Sequence, residues 1–559
     1  MNNKIYKIIA IILTGILLGS CSDEFVDLPP VASINSGSYY SSVQQAETAV
    51  TAAYSTFCKT VAWDRDVIMI FGDVTSDDAE SGGDFENEVP DIEVFNRFGS
   101  EILTSSSHLD AMYGILYRGI YFANVAMERI PGVLDIDPDA TEEFINLRIA
   151  EMKFIRAINT LYLTHIFGEV PLVDHVLSPS EYNIPRSTFR ELFDFIEKDL
   201  QEAIEVLPEK SELEPEDIGR ATKGACRGLL ARVYLFESSY AHYYPSDSRF
   251  EGLNERWQDV LDVCREIINP PGSLPEYRLV GAEDDTYVTW HDTSTNGYRY
   301  MFTIEGDNND ESLFEVQFIA DGLNYAQTRA GSLVQWVSPR YYTDADGNQM
   351  RTPMWGLGWP TQSIYDEYED GDIRLQTAIS EPGDSMQVLI SGEPTYVLIN
   401  FNNTATGYYQ NKYSCAADQF EAVTGHGWQK SAANSKIIRL ADVYLMAAEA
   451  AIMLGDNNTA LGYINAVRSR ARVCGGGDSP ADLSGTVTMD DLIHERRVEL
   501  AFEGRRFFDL VRWNLATDMI NGETAEGFPI IFESPKHDFM PLPDYEITTN
   551  SAVEQRYGW

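Results

Sequence analysis

The stretch that decides the fold is Glu495–Trp513, ERRVELAFEGRRFFDLVRW, in which arginines and carboxylates are interleaved with aromatic and aliphatic residues. Arg505 precedes Asp509 by four residues and Asp509 precedes Arg512 by three, so both pairs can form on one helix surface. Such crowding of acids and arginines is also compatible with a catalytic or ligand site. The helical spacing instead favours partly buried arginine–carboxylate pairs that lock this helix to a larger helical frame.

The segment before this stretch has the pattern of a helix pair. In tetratricopeptide repeats a large residue seals the pair, small residues allow close helix approach, and Gly-Asp turns the chain. The residues that match this spacing are Tyr444, Ala448, Gly455, Ala460, Tyr463 and Ile464. Because helix hairpins of this kind stack into a curved solenoid, we expect segment 441–472 to be one hairpin of a mainly α-helical, tetratricopeptide-like solenoid.

Helical periodicity also runs through the first half of the chain. Ser42 and Gln45 can form a capping box at the start of a first helix, and Thr188 and Glu191 can form another. The helices predicted after the first are Met112–Ile130, Phe144–Phe167, Phe189–Leu207, Ala221–Ser239 and Arg256–Ile268.

The region Tyr277–Lys430 differs, because helical periodicity fades and Gly, Asn, Asp and aromatic residues become frequent. It contains short strand-like runs, Leu313–Ile319 and Val397–Phe401, and five of the nine tryptophans. Long irregular insertions on a rigid frame are where binding residues concentrate. We therefore expect ligand contacts from this region; its candidate residues are Tyr287, Trp290, Trp336, Arg340, Tyr341 and Trp355. For any one aromatic, plain core packing is the alternative.

The N-terminus has the pattern of a lipoprotein signal peptide. Lys4 and Lys7 precede the apolar run Ile8–Leu18, which is shorter than the roughly 20 residues needed to span a bilayer. Small residues then lead to Cys21, as in the bacterial lipobox, whose cysteine receives a diacylglycerol. Ser22-Asp23-Glu24 resembles the acidic tag of surface lipoproteins in Bacteroidota. We expect lipidation at Cys21 and an anchored protein on the extracellular side of the outer membrane.

Charge and cysteine content exclude several classes of function. The formal net charge of −46 argues against nucleic-acid binding, which requires basic surfaces. The cysteines after Cys21 are odd in number and widely spaced, at Cys58, Cys226, Cys264, Cys415 and Cys474. They form neither a disulfide framework nor a zinc site, and we expect no essential disulfide and no cofactor.

Five ordered motifs resemble those of the SusD/RagB family of surface nutrient-binding lipoproteins, over essentially the whole chain. They are Phe154–Val173, Ala221–Leu235, Arg439–Ala450, Ile464–Arg468 and Glu495–Trp513, and a similar terminal motif lies at Pro541–Gly558. The resemblance implies tetratricopeptide-like helix pairs with an irregular ligand-binding face. It also implies a partner, a SusC-like TonB-dependent outer-membrane transporter, and a nutrient ligand. Most members of the family bind glycans, and the RagB branch handles peptides.

The resemblance places a second part of the ligand site in the loop Asp73–Phe98. The candidate residues there are Asp77, Asp78, Phe85 and Asn96. The loop has no tryptophan, unlike that of several glycan binders, which leaves a flat sugar platform at this position open.

Metal and enzymatic motifs are incomplete or missing in the sequence. Asp307-x-Asn309-x-Glu311 and Asp344-x-Asp346-x-Asn348 begin like calcium loops, but both lack the glycine at position six and the glutamate at position twelve. No zinc-protease, nucleophile-elbow or phosphate-loop motif is present. A pair of carboxylates for glycoside hydrolysis needs no local motif and stays open.

The sequence therefore predicts a non-enzymatic surface lipoprotein that captures oligosaccharides for a SusC-like transporter. The alternatives are a peptide-binding lipoprotein of the RagB type and a surface glycosidase. The predicted segments are a signal peptide at residues 1–20, a lipidated tether at 21–37, an N-terminal helical frame at 38–276, an irregular ligand-binding region at 277–430, and the C-terminal part of the frame at 431–559.

Overall fold

Helices make up most of the frame in the computed structural model, which describes residues 40–58, 62–84, 88–99, 104–281, 297–319, 330–390, 393–414, 431–525 and 527–559. The signal peptide and Cys21 lie outside the described residues. The α-helices are α1 Val43–Cys58, α2 Pro90–Arg97, α3 Ser107–Arg129, α4 Glu142–Phe167, α5 Phe189–Ile204, α6 Lys223–Tyr243, α7 Trp257–Ile268, α8 Gly297–Tyr300, α9 Leu333–Val337, α10 Gln362–Glu367, α11 Arg374–Ala378, α12 Leu440–Met453, α13 Asn457–Gly475, α14 Met489–Leu500, α15 Arg506–Arg512, α16 Ala516–Ile520 and α17 Asp544–Thr549. Segment Ala62–Val74 is a π-helix.

The strands are short and form small antiparallel sheets. They are β1 Ala79–Gly82, β2 Ser312–Val316, β3 Tyr341–Thr343, β4 Gln349–Arg351, β5 Leu357–Pro360, β6 Ile379–Ser380, β7 Ser385–Ile390, β8 Glu393–Ile399, β9 Tyr409–Gln410, β10 Ser435–Arg439, β11 Thr524–Ala525 and β12 Phe528–Pro529. Four of them form one sheet in the order β4-β3-β8-β7, and the others form the pairs β1-β5, β10-β2, β11-β12 and β6-β9.

Helices that follow one another in the chain pack against each other, as the sequence predicts. Helices α3 to α7 each contact the next, α7 contacts α12, and α12 contacts α13. Thr188 and Glu191 form the predicted capping box at the start of α5. One apolar core runs through these helices and the C-terminal segment. The prediction of a mainly α-helical fold with irregular and short-strand regions is confirmed.

The predicted hairpin at 441–472 is formed by α12 and α13. Gly455 adopts a φ of 74° in the turn between them, a conformation that favours glycine. The rings of Tyr444 and Tyr463 meet edge to face at 5.6 Å between centroids, and Ala448 and Ala460 are fully buried where the helices touch. The small residues therefore permit the close helix approach that their spacing predicts.

The stretch Glu495–Trp513 is the centre of a buried network of charges. Glu499 is fully buried and accepts hydrogen bonds from Arg439 at 2.6 Å, from Arg374 at 3.0 Å, and from Arg470. Burial alone raises the pKa of Glu499, but the charges of the three guanidinium groups hold it well below its usual value. The network joins α14 to β10, α11 and α13, so the prediction of a structural role for this stretch agrees with its contacts.

Only one of the two ion pairs predicted within this stretch forms. Asp509 accepts a hydrogen bond from Arg512 Nε at 2.8 Å, as predicted. The prediction of a pair between Arg505 and Asp509 is wrong. Arg505 instead donates to the hydroxyl of Tyr162 at 3.0 Å and to a backbone carbonyl. Arg505 precedes the first residue of α15, where the chain turns, and Asp509 instead takes Arg496 as its second partner at 2.9 Å.

Gly504 makes that turn possible. Its φ is 70°, and a Cβ atom at this position would lie 2.7 Å from Cα of Ile68 in the π-helix. Its backbone N–H donates to Asp73 Oδ1 at 3.1 Å. The turn therefore brings α15 against the π-helix, which leads directly into the loop Asp73–Phe98.

Three of the cysteines in the described part of the chain are free. They are Cys226, Cys264 and Cys474, and all three are buried. Cys415 lies outside the described residues. Within the part of the chain that is described, no helix has both the length and the apolar character needed to cross a membrane.

Acid should destabilise the protein through two buried histidines. Burial, with the charge of Lys536, lowers the pKa of His537 to about 4, and burial, with three arginines nearby, lowers the pKa of His165 well below its usual value. The unfolded chain takes up these protons near pH 6.5, so stability is present above pH 6.5 and is lost as the pH falls towards 4. For His537 the loss is about 3 kcal/mol.

Urea denaturation between pH 4 and 8 measures this effect. We expect the free energy of unfolding to fall less steeply below pH 6.5 in His537→Gln than in the wild type, because glutamine keeps an acceptor for the Glu533 backbone N–H but cannot titrate. If the free energy of unfolding falls equally steeply with pH in the wild type and in His537→Gln, protonation of His537 is not coupled to folding. His494 acts in the opposite direction, because burial lowers its pKa but contacts with Glu367 and other carboxylates raise it overall. Its contribution is present below pH 6.5 and is lost as the pH rises through its folded-state pKa.

Candidate functional site

The loop Asp73–Phe98 and the irregular region meet in a two-stranded sheet. Strand β1 of the loop pairs with β5, with Ala79 opposite Pro360 and Gly82 opposite Leu357. The backbone N–H of Thr361 continues the contact by donating to the carbonyl of Asp78 at 3.0 Å. Two segments nearly 300 residues apart therefore form one surface.

Two tryptophans stack on each other where these segments meet. The rings of Trp336, on α9, and Trp355, after β4, lie 5.5 Å apart between centroids with an angle of 19° between their planes. The Trp355 backbone N–H donates to the carbonyl of Gln335 at 2.8 Å, which fixes the two segments together. Both side chains are partly exposed. They form a half-buried aromatic pair that packs against the main apolar core, and we call it the tryptophan pair.

Arg340 connects the tryptophan pair to the loop Asp73–Phe98. Its side chain is 3% exposed, its Nε donates to the carbonyl of Trp355 at 2.7 Å, and its guanidinium lies 5.5 Å from the Trp355 ring centroid. Its Nη1 donates to Glu88 at 2.7 Å and lies 3.6 Å from Asp84. Arg340 thus ties the loop that carries both acids to the segment that carries the tryptophans.

Asp84 is an ionised acceptor at the edge of this site. Tyr341 donates its hydroxyl to Asp84, and Asn403 donates Nδ2 to it at 2.6 Å. Partial burial raises the pKa of Asp84, but these hydrogen bonds and the charge of Arg340 lower it overall. Gln349 in turn donates to Asn403 at 2.9 Å. A carboxylate with hydroxyl and amide neighbours can accept hydrogen bonds from ligand hydroxyls.

A glycine at position 356 allows this close packing. Gly356 has a φ of 59°, and a Cβ atom there would lie 2.8 Å from the Tyr409 ring and 3.2 Å from the Arg340 backbone nitrogen. The chain can therefore turn directly after Trp355 without displacing Arg340.

Four of the predicted site residues come together here, and others do not. Trp336, Arg340, Tyr341 and Trp355 lie within one group of contacts. Phe85, Tyr287 and Trp290 lie outside the described residues. Trp359, another tryptophan of this region, is 5% exposed and packs in a small core with Ile399 and Tyr409, so for that residue the core-packing alternative is correct.

The structure places Asp78 and Asn96 in buried structural contacts, and their role as ligand residues stays a prediction. Asp78 is fully buried and accepts a hydrogen bond from Arg497 Nε at 2.8 Å. Neighbouring Asp77 accepts a hydrogen bond from Arg506 Nε at 2.7 Å. Asn96 is 1% exposed and donates to the carbonyl of Val74 at 2.8 Å, holding the loop closed. The loop instead contributes Asp84 and Glu88 to the site.

Sequence reasoning missed Asp84, Glu88 and Asn403. The loop Asp73–Phe98 contains several acids, and nothing in their local spacing separates those that are buried from those that reach the surface. Asn403 lies in the run Asn400–Asn403, whose amides were a usable signal for a polar surface in the irregular region.

One cavity elsewhere in the frame does not have the features of this site. A cavity of about 580 Å³ is lined by Arg148 and Arg220, but both arginines are already paired with Glu47 and Glu151. Its two arginines are therefore committed to ion pairs, and none of the described residues that line it is aromatic.

The partial calcium motifs use their oxygen atoms internally. Glu311 is paired with Arg439 at 2.9 Å and with Arg470 at 2.6 Å, and Asp307 lies 3.2 Å from Lys436. Asp344 accepts hydrogen bonds from the backbone of Asp346 and Asn348 in its own turn. Within the described ranges, no three histidine, cysteine or acidic side chains converge in a way that could hold a metal ion.

Comparison with known proteins gives consistent matches over the chain. A family model described as the SusD family matches residues 291–559, and one described as starch-binding and associating with the outer membrane matches residues 84–235. A SusD-like protein of Bacteroides ovatus is 25% identical over 519 residues, which cover 91% of this chain and 82% of that protein. A SusD-like protein of Formosa agariphila is 24% identical over 563 residues, covering 98% of each.

The fold is similar to that of solved structures. The structure of a laminarin-binding SusD-like protein superposes with a TM-score of 0.73 at 25% sequence identity, covering 93% of this chain and 100% of that one.

Proposed function

Because this chain belongs to the SusD/RagB family, we propose that it is a non-enzymatic cell-surface protein that binds glycans. The tryptophan pair carries the proposal. Flat indole rings pack against the C–H faces of sugars and lose little rotamer entropy on binding. Asp84, Asn403 and Tyr341 lie beside the pair as partners for sugar hydroxyls. The descriptions of relatives as starch-binding and laminarin-binding support the same ligand class.

Titration of the purified mature protein with a panel of polysaccharides tests this function. Laminarin and starch are the first members of the panel because relatives bear those descriptions. Binding of at least one glycan, with heat released on stacking and hydrogen bonding, is the expected result.

A peptide ligand of the RagB type is the second candidate. A peptide groove uses backbone hydrogen bonding and apolar pockets, whereas the site described above combines a partly exposed tryptophan pair with polar side chains. The geometry therefore favours a glycan. Binding of peptides with no binding of any glycan would reverse this choice.

A surface glycosidase fits the site poorly. Glycoside hydrolysis requires a carboxylic acid that is held protonated by a raised pKa. The pKa of Asp84 is shifted down, and Glu88 is held by Arg340. Release of new reducing ends from a bound glycan by the purified protein would contradict the non-enzymatic function.

We further propose that the protein is lipid-anchored on the extracellular side of the outer membrane and delivers its ligand to a SusC-like TonB-dependent transporter. The sequence around Cys21 and the description of the family model as associating with the outer membrane support the location. The family membership supports the partner.

Replacement of Cys21 by alanine should release the protein from the outer membrane. At about 0.8 kcal/mol for each buried CH₂, the acyl chains supply the anchoring energy, and a body with a net charge near −46 cannot replace it on anionic lipid. Cell fractionation with external protease measures the result. A Cys21→Ala protein that stays in the outer membrane and remains accessible to protease would contradict lipid anchoring.

Affinity purification from solubilised outer membrane should recover a TonB-dependent barrel in near-equal amount. A protein that covers the mouth of a barrel buries well over the roughly 1,000 Å² that separates specific interfaces from incidental contacts. Such an interface survives mild detergent. Recovery of the protein alone under those conditions would count against the partnership.

A further inference from the structure

The outer face of the sheet β4-β3-β8-β7 lies beside the tryptophan pair and is exposed to solvent. Directly opposed residues of antiparallel strands share a face. Thr343 is opposite both Leu398 and Gln349, and Gln387 is opposite Tyr396, so these side chains share one face. Tyr396 is 58% exposed and Leu398 is 54% exposed.

The other face of the same sheet is the buried one. Met386, Val388 and Ile399 pack there with Trp359 and Tyr409. The alternation along β8 is therefore that of a half-buried strand, in which outward positions are normally polar. A tyrosine and a leucine at two successive outward positions of β8 depart from this pattern.

The outer face is connected to the tryptophan pair through Asp84 and Arg340. Tyr341 shares this face two residues before Thr343, and its hydroxyl donates to Asp84. Gln349, from the same face, donates to Asn403, which also contacts Asp84. The register of β3 and β8 places Tyr396 level with a position about four residues after Tyr341. At a rise of about 3.4 Å per residue, the two tyrosines are about 14 Å apart along the strands.

The charges of this combined surface are balanced. Glu88 and Asp84 face Arg340, and Arg351, opposite Tyr341 on β4, adds a second positive charge near Asp84. Two acids and two arginines leave no excess positive charge to attract an anionic sugar, and the chain as a whole carries a net charge of −46.

We propose that the ligand site extends from the tryptophan pair across this sheet face to Tyr396, and that its occupant is a long, uncharged glycan chain. The inference rests on the glycan-binding function proposed above. Tyr396 forms a second stacking platform, Leu398 adds apolar area, and Gln349 and Gln387 offer amide partners to sugar hydroxyls. The mixture of rings, amides and hydroxyls, connected to the tryptophan pair, fits a polysaccharide better than a mostly apolar protein partner.

The test compares Tyr396→Ala with Tyr182→Ala, a control of equal 58% exposure on a loop that contacts the C-terminal segment at Asn550 and Ser551. The mature lipoprotein in detergent is titrated with laminarin, starch, xylan and polygalacturonate, and circular dichroism checks folding. Tyr396→Ala should raise the Kd for the best-bound neutral polysaccharide about 10-fold, and Tyr182→Ala should leave it unchanged.

Two results would overturn the proposal while leaving glycan binding intact. One is an unchanged Kd in Tyr396→Ala. If this variant also loses its co-purifying barrel, the outer face is a protein-docking surface instead. The other is a wild type that binds polygalacturonate most tightly. A wild type that binds no polysaccharide would remove the proposed function, and with it this extension.

Discussion

Replacing Trp336 and Trp355 together by alanine should abolish most of the glycan affinity while leaving the protein folded. The two rings stack at 5.5 Å and are partly exposed, so they form a platform rather than the centre of the core. Truncating a central aromatic contact costs about 1–3 kcal/mol, so losing both should raise Kd at least roughly 30-fold. Calorimetric titration of wild type and variant with the same glycan measures the change.

A matched control separates binding from stability. Tyr182→Ala removes an exposed ring outside the site and should change neither Kd nor the melting temperature. Large-to-small changes of true core residues cost about 3–5 kcal/mol of stability. If the double variant loses that much stability, and its folded fraction binds with unchanged affinity, the tryptophan pair is part of the core and not the site.

Replacing Glu499 by alanine should strongly destabilise the fold. Glu499 neutralises Arg374, Arg439 and Arg470 in an interior where Arg374 and Arg470 are fully buried. Removing one partner of a buried pair costs about 3–5 kcal/mol, because the remaining charge is left uncompensated. Each of the three arginines keeps a second carboxylate partner, Glu495, Glu503 or Glu311, so we expect a loss within that range rather than above it. Urea denaturation and soluble yield measure it.

The control for this variant is a surface pair. Glu202 pairs with Lys153 on the exposed side of the frame, where its side chain is 43% exposed. Exposed pairs contribute up to about 1 kcal/mol, so Glu202→Ala should change the free energy of unfolding by less than that. If Glu499→Ala is no more destabilising than Glu202→Ala, the buried network does not hold the frame together.

The helical frame could be predicted because its signals are local. Helix periodicity depends on residues three and four apart, and the capping box of Thr188 and Glu191 needs only that spacing. The hairpin at Gly455 follows from short-range rules in the same way. The pair of Arg505 with Asp509 failed because the turn at Gly504 moves Arg505 off the helix, and a Cβ clash with Ile68, more than 400 residues away, is what requires that glycine.

The candidate site could be predicted only in part, because its composition depends on long-range pairing. The aromatic residues of the irregular region indicated Trp336 and Trp355, and the family resemblance indicated that the loop Asp73–Phe98 lies nearby. Arg497, 419 residues from Asp78 in the sequence, binds the Asp78 carboxylate and buries it. This contact helps to decide which acids of the loop reach the surface. Asp84 and Glu88 remain for Arg340, 252 residues from Glu88. No local pattern encodes that division.

The most direct test of the central claim is calorimetric titration of the mature protein, as wild type and as the Trp336→Ala, Trp355→Ala double variant, with the polysaccharide panel. A saturable, exothermic signal with at least one neutral glycan, weakened at least roughly 30-fold in the folded double variant, is the result that the account predicts. The absence of any glycan binding by the wild type, or equal affinity in the double variant, would contradict it.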